Sequence, residues 1–230
     1  VSARPFVLVS AAMSLDGYLD DASPERLLLS NDADFDRVDQ VRADSDAILV
    51  GAGTIRADNP RLIVKSPVRQ ALRVDSGRPA TPLKVTVSAS GDLDPAAKFW
   101  HHGTEEQRPL VYTTDTGAVK ASQRLGGLAE TVSLGDTVDF GALLDDLGTR
   151  GVGRLMVEGG SHILTEFLAA GLADELQIAI GPTLVGDQAA PRFLNPARFP
   201  GGPTHRMRLL EATSIGDVAL LRYQPSKESQ

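Results

Sequence analysis

The 230-residue chain contains no cysteine. That excludes disulfides, thiolate nucleophiles, iron–sulfur clusters and cysteine-ligated zinc. Its four histidines (His101, His102, His162 and His205) lack the spacing of a metal-binding helix, so no metal site is expected. No apolar run approaches the about 18 residues that cross a bilayer, so no membrane partner is expected. The opening stretch VSARPFVLVS is too short in apolar residues for a secretory signal, which reads as a cytoplasmic protein. Basic residues are in deficit: the formal charge is −7 and the pI about 5.1. A general nucleic-acid partner is therefore not expected, and an anionic ligand would be held locally, by helix N-termini and a few placed Arg or Lys. What is present is a hydrophobic content of 42%, enough to fill a real core, and the expectation is one domain over residues 1–230.

Strand-like and helix-like segments alternate. Phe6–Met13, Ala47–Val50, Leu83–Ser88, Leu110–Thr114, 154–158 and Glu175–Ile180 read as strands. Asp34–Asp44, Phe140–Leu147 (with Asp139 as N-cap and Gly148 near its end) and 161–170 read as helices. Arg206–Leu210 and Val218–Tyr223 read as a closing antiparallel pair across Gly216-Asp217. The order implies an α/β protein with a mostly parallel central sheet, helices on its faces and antiparallel C-terminal strands. Ser66–Pro82 and Gly186–Pro203 look poor in structure. The first, with Arg69, Arg73 and Arg78, reads as a solvated loop, with a place beside an anionic ligand as the lesser alternative. The second reads as an ordered surface excursion, and Pro225–Gln230 as a polar tail.

The densest chemical signal is LMVEGGSHILTEFLA at residues 155–169. A short apolar strand ends in Glu158-Gly159-Gly160-Ser161, and Ile163, Leu164, Phe167 and Leu168 then follow a helical period. A glycine turn of this kind leaves the amides at the helix start uncovered, where the helix dipole adds positive charge, so it suits a phosphate or diphosphate. An ordinary βα turn has the same letters. Glu158 falls at a strand's C-terminal end, where open α/β sheets bind ligands. Three further segments are candidates. Ala11–Tyr18 brings small residues and Ser-Leu-Asp-Gly to a strand end, where Asp16 can accept from a ring amine or simply form a turn. Gly51-Ala52-Gly53-Thr54 resembles half a dinucleotide fingerprint, but Arg56 stands where G-x-G-x-x-G needs a small residue. Asp58 in Asp-Asn-Pro can bind a hydroxyl or make a turn. Arg42 near Asp44 and Asp46 is either a surface ion pair or a guanidinium aimed at a phosphate.

The joint order of SLDG, VRADSDAILVGAGT, DNPRL, VEGG and LADELQIAIGPTLVG resembles the reductase domain of bacterial riboflavin biosynthesis, over about residues 6–223. The resemblance implies a dihydrofolate-reductase-like three-layer α/β/α fold and NADPH as cofactor, with NADH as the alternative. On the cofactor side it implies Ala12, Met13, Gly51, Thr54, Asp58, Gly159, Gly160, Ser161, His162, Ile163 and Leu164, with Ser88 and Ser90 ranked lower. On the substrate side it implies Ser14, Asp16, Arg42, Leu62, Lys65 and Glu158. Arg42 and Lys65 would hold the 5′-phosphate of a ribosylaminopyrimidine, whose ribosyl group is reduced to ribityl. Asp16 and Glu158 are the candidates for orienting the pyrimidine and managing the proton. It also implies a homodimer, built in part by the 172–180 region. Two departures stand out: Tyr18 follows Ser-Leu-Asp-Gly where many members carry Lys or Arg, and Lys65 replaces the arginine of the DDPxLxxR pattern. They leave open a dihydrofolate-type, pterin or other pyrimidine substrate, or a nucleotide-binding module without catalysis. The deaminase half of the bifunctional enzymes needs zinc-ligating cysteines that this chain lacks.

Overall fold

The structure, a computed structural model, describes residues 4–23, 25–200, 202 and 205–226. Residues 227–230 of the expected polar tail, and Gly201 and Pro203 of the expected excursion, lie outside the described residues. In chain order the elements are β1 (Phe6–Ser14), α1 (Asp32–Asp44), β2 (Ala47–Gly51), α2 (Ala52–Asp58), α3 (Pro67–Asp75), β3 (Leu83–Val87), β4 (Leu110–Thr113), α4 (Asp115–Leu125), β5 (Glu130–Ser133), α5 (Phe140–Thr149), β6 (Arg154–Gly159), α6 (Ser161–Ala169), β7 (Glu175–Gly181), β8 (Arg208–Ile215) and β9 (Val218–Gln224). The sheet order is β5-β4-β3-β2-β6-β1-β7-β9-β8. The expected architecture, mostly parallel with antiparallel strands at the C-terminal end, is the one observed. No helix among the described residues is long and apolar enough to cross a membrane.

Two compact units can be distinguished, Val1–Pro5 with Asp39–Met156, and Phe6–Val38 with Val157–Gln230. In the first, β2, β3, β4 and β5 pair in parallel, Ala47 opposite Leu83 and Val85 opposite Leu110. All five residues of β2 are buried, as expected of a strand covered on both faces. Helices α3, α4 and α5 each start at a side-chain cap: Ser66, Thr114 and Asp139 accept from the amides of Arg69, Gly117 and Ala142.

Ser66–Pro82 is not a solvated loop. Ser66 with Pro67 at the first helical position opens α3. Arg73 is 1% exposed, and its guanidinium donates to the carbonyls of Pro79 (2.8 Å), Ala43 (2.7 Å) and Ser45 (2.7 Å). The arginine spacing that suggests a charged surface is thus one buried clamp flanked by exposed Val68, Leu72 and Val74. Buried Lys84 plays a similar part, donating to the carbonyls of Arg61 (2.6 Å), Phe99 (3.0 Å) and His102. Trp100 is a buried anchor whose indole N–H donates to the Asp94 carbonyl.

In the second unit β1 runs parallel to β7, with Ala12 opposite Ala179 and Ser14 opposite Gly181. Strand β9 pairs antiparallel with β7 and with β8, and the β8–β9 turn falls at Gly216-Asp217 as expected. Leu8, Val9, Leu164, Phe167 and Leu176 supply its core. Residues 191–193 of the 186–202 stretch are stitched to the β1 exit: the Leu19 amide donates to the Pro191 carbonyl and the Phe193 amide to the Gly17 carbonyl.

Candidate active site

The β1 exit in the second unit is a tight turn. The Ser14 and Tyr18 backbones bond to each other, and the Gly17 amide donates to the Ser14 carbonyl (3.0 Å). Gly17 has φ +86°, which favours glycine there. Ser14 is fully buried; its hydroxyl donates to Asp16 (2.6 Å) and accepts from the Tyr18 amide (2.9 Å). The Asp16 carboxylate also accepts from the amides of Val185 (3.1 Å) and Gly186 (2.7 Å). The Ser14 hydroxyl above all holds the Asp16 carboxyl below the usual carboxylate range, against an upward pull from desolvation that exceeds the lowering by either amide alone. Asp16 is therefore an ionised acceptor that fastens the 183–186 segment to the strand end. Leu15 and Leu184 flank it, 63% and 72% exposed.

Strand β6 delivers half-buried Glu158 and then Gly159, at φ +120°. The Gly159–Gly160 peptide is cis. Gly160 is the N-cap of α6 and brings no side chain to the cap, so the first bond of the helix is Leu164 amide to Gly160 carbonyl (3.0 Å). The Ser161 hydroxyl turns away from the helix amides and donates to the Arg192 carbonyl. The side chains of Ile163 and Leu164 are core, so at these positions only the backbone is offered outward. His162 is exposed, with Nδ1 3.7 Å from Glu166. Ala12 and Met13 lie half-buried on β1 next to Ser14.

The first unit holds the remaining candidates. Gly51 ends β2 and opens α2, placing half-buried Thr54 in the first turn and exposed Asp58 at the helix end. Asn59 follows in the left-handed region, and its side chain accepts from the Lys98 amide (2.8 Å). Leu62 is buried at φ +52°. The next residues are tied to the second half of α1: Asp39 accepts from the amides of Lys65 (2.5 Å) and Ser66 (3.1 Å) and pairs with Arg69 (3.0 Å). Arg42 reaches the Ile63 carbonyl (3.4 Å). Arg42 of α1 thus reaches the short segment that carries Leu62 and Lys65, with the Lys65 side chain exposed. Asp39, which organises this segment, is not legible as a candidate in the sequence; its only signal is an acid one helical turn before Arg42. Ser88 is buried just past β3, and exposed Ser90 accepts from the Asp92 amide (3.3 Å).

The family model of the RibD C-terminal domain matches residues 5–221. A relative from Archaeoglobus fulgidus, named 2,5-diamino-6-ribosylamino-4(3H)-pyrimidinone 5′-phosphate reductase, is 37% identical over 85% of this chain and 89% of its own length. A protein of the same name from Methanothermobacter thermautotrophicus is 34% identical over 96% of this chain and 98% of its own. Among solved structures, a pyrimidine reductase-like protein from Corynebacterium diphtheriae superposes with a TM-score of 0.79 at 24% identity, over 97% of this chain and 93% of its own. That likeness shows the fold, which agrees with the dihydrofolate-reductase-like expectation.

Proposed function

The chain belongs to the RibD C-terminal domain family, and on that premise we propose that it is the oxidoreductase reducing 2,5-diamino-6-ribosylamino-4(3H)-pyrimidinone 5′-phosphate to its ribitylamino form in riboflavin biosynthesis. The observation that carries this reading is the likeness to two reductases of that name along nearly their whole length. The substrate is taken with its 2-amino group in place, as those relatives are named, rather than as the deaminated uracil. NADPH is the proposed cofactor.

The chain's residues fit a dinucleotide. The start of α6 has a glycine N-cap, no capping side chain and a serine hydroxyl engaged elsewhere. A diphosphate there would be held by backbone N–H groups and the helix dipole. Gly159, Gly160, Ser161, His162, Ile163 and Leu164 are its proposed contacts, with Ala12 and Met13 toward the nicotinamide. Gly51, Thr54, Asp58, Ser88 and Ser90 are the proposed cofactor contacts of the first unit. When bound, the reduced nicotinamide supplies the hydride that takes C1′ of the open-chain ribosyl imine to the ribityl level.

The protein's own contributions are position and charge. Arg42 and Lys65 are proposed for the 5′-phosphate, with Leu62 beside them. Lysine at 65 keeps the charge but loses the two-pronged geometry of arginine. Ser14 orders Asp16, and ionised Asp16 accepts from the pyrimidine's N–H groups instead of donating a proton. Proton handling then falls to Glu158 and water. We further propose a homodimer; the 172–180 region expected to help build it carries β7, an interior strand buried at six of its seven residues, so the proposal rests instead on Leu209 and Leu210, exposed on edge strand β8, and a monomer mass by light scattering would remove it.

The test is the loss of reduced-nicotinamide absorbance with NADPH or NADH offered against the diamino substrate, its deaminated form and dihydrofolate. Turnover of the diamino compound with NADPH is expected to be fastest. Turnover of dihydrofolate alone, or of none, would overturn the proposal.

A further inference from the structure

Arg192 is held by the fold at several points, which is uncommon for an exposed side chain. Residues 191–193 form an antiparallel contact with the β1 exit: Tyr18 bridges Arg192, with the Leu19–Pro191 and Gly17–Phe193 bonds on either side. The Arg192 carbonyl accepts from the Ser161 hydroxyl. Three residues on, the Asn195 amide donates to the Thr165 hydroxyl (2.9 Å), which itself donates to the Ser161 carbonyl (2.6 Å). The backbone of Arg192 is thus pinned to both the Ser14–Tyr18 turn and the first turn of α6.

Its side chain is fixed as well. The guanidinium carbon lies 4.6 Å from the centroid of the buried Tyr18 ring, and Nη2 donates to the Tyr18 hydroxyl (2.9 Å). This is a cation–π contact with a hydrogen bond added, which sets the orientation of the planar fork. Nε and Nη1 keep donors to spare. Two other arginines of the same unit are consumed by acids, Arg37 by Asp34 and Arg222 by Glu175 and Glu211. No carboxylate lies within ion-pair distance of Arg192 among the described residues. In a chain of net charge −7, an oriented guanidinium without an acid, on a residue whose backbone carbonyl is bonded to the first residue of α6, is a device for an anion.

We infer that Arg192, propped on Tyr18, binds a phosphate group of the ligand held at the start of α6, and so sets nucleotide affinity and selectivity. This rests on the reductase reading above. The ligand chemistry is a diphosphate or phosphate monoester of the dinucleotide, and the arms of the test separate the two.

The test is equilibrium titration of NADPH and NADH, with the Michaelis constant for the phosphorylated substrate, in the wild type, Arg192→Gln and Arg192→Lys. Thermal melting verifies that each variant is folded. Loss of one charge-assisted phosphate contact is expected to weaken binding roughly 10-fold or more, with partial recovery in Arg192→Lys. Equal weakening for NADPH and NADH places the contact on the diphosphate. Weakening for NADPH alone places it on the 2′-phosphate, while a rise confined to the substrate's Michaelis constant overturns the inference, because the 5′-phosphate is proposed to lie on Arg42 and Lys65. Either pattern of weakened nucleotide binding supports the inference. If the folded variants match a nucleotide-binding wild type on all three readouts, the inference is wrong and the reductase reading stands. If the wild type binds no pyridine nucleotide, both fall together.

Discussion

Replacing Gly159 by alanine separates backbone conformation from crowding at the turn proposed to hold the cofactor. Gly159 has φ +120°, a region side chains rarely occupy. A Cβ there would meet only the Leu164 side chain, at 3.6 and 3.8 Å, which is ordinary contact. The cost is therefore that of the dihedral, on the order of 1–3 kcal/mol. If the protein keeps its turn, the cost appears as lost stability, roughly 2–12 °C in melting temperature for a chain of this size. If the turn relaxes instead, binding must restore it, and the same energy appears as a roughly 5- to 150-fold weaker NADPH dissociation constant. Gly53 provides the opposite case. It lies in α2 without a positive φ, and a Cβ added there would meet nothing within 4 Å. Gly53→Ala is expected to add roughly 0.5–1 kcal/mol. Urea unfolding and fluorescence titration with NADPH read both quantities. A Gly159→Ala protein that matches the wild type in both, or a Gly53→Ala protein that loses as much, would refute the reasoning.

Three further outcomes are expected. Burial pulls the Lys84 ammonium down to about 8 from 10.5. Between about pH 8 and 10 the unfolded chain then holds more protons than the folded one, so stability rises with pH, by up to about 1.4 kcal/mol per unit. Above that window Tyr112 acts the other way, because burial and its bond to Asp146 push its phenol up. Lys84→Met is expected to lack the rise, and parallel unfolding profiles for the two proteins would contradict this. Asp16→Asn is expected to lower turnover far more than NADPH affinity. In the wild type the Asp16 contribution persists on acidification until the pH falls through its depressed pKa, below the ordinary carboxylate range; equal turnover in the variant removes Asp16 from the chemistry. Arg42→Ala is expected to raise the substrate Michaelis constant about 10-fold at little cost in turnover, the scale of one charge-assisted contact, and an unchanged value would take the phosphate away from Arg42.

Legibility in the sequence follows the strength of the local physical signal. Strands β1, β2, β3, β4, β6 and β7 can be read to within about a residue or two because buried parallel strands are short continuous apolar runs. Asp139 is readable as a cap because a single carboxylate before an apolar helix has few other roles. Helix α2 is hidden because Gly51–Thr54 looks like a glycine loop, and its seven residues carry too little period to compete. Helix α3 is hidden because three arginines suggest solvent, although one of them is the clamp between α1 and the 79 loop. Helix α4 and strand β5 escape notice for want of apolar pattern: β5 (ETVS) is exposed or half-buried throughout. At the candidate site, the glycine turn before α6 can be read from two adjacent glycines and a following helical period. The engagement of Asp16 with Val185 and Gly186, 169 and 170 residues away, cannot, because nothing local encodes a loop returning to a strand end. The Tyr18–Arg192 pair is of the same kind: position 18 is legible as a departure, and its partner only from the fold.

The most direct measurement is a crystal structure of the protein with NADPH bound. The diphosphate is expected within hydrogen-bond distance of the amides of residues 161–163, with the nicotinamide toward Ala12 and Met13. A dinucleotide bound elsewhere, with those amides turned to water or to a side chain, would contradict the proposed reductase site.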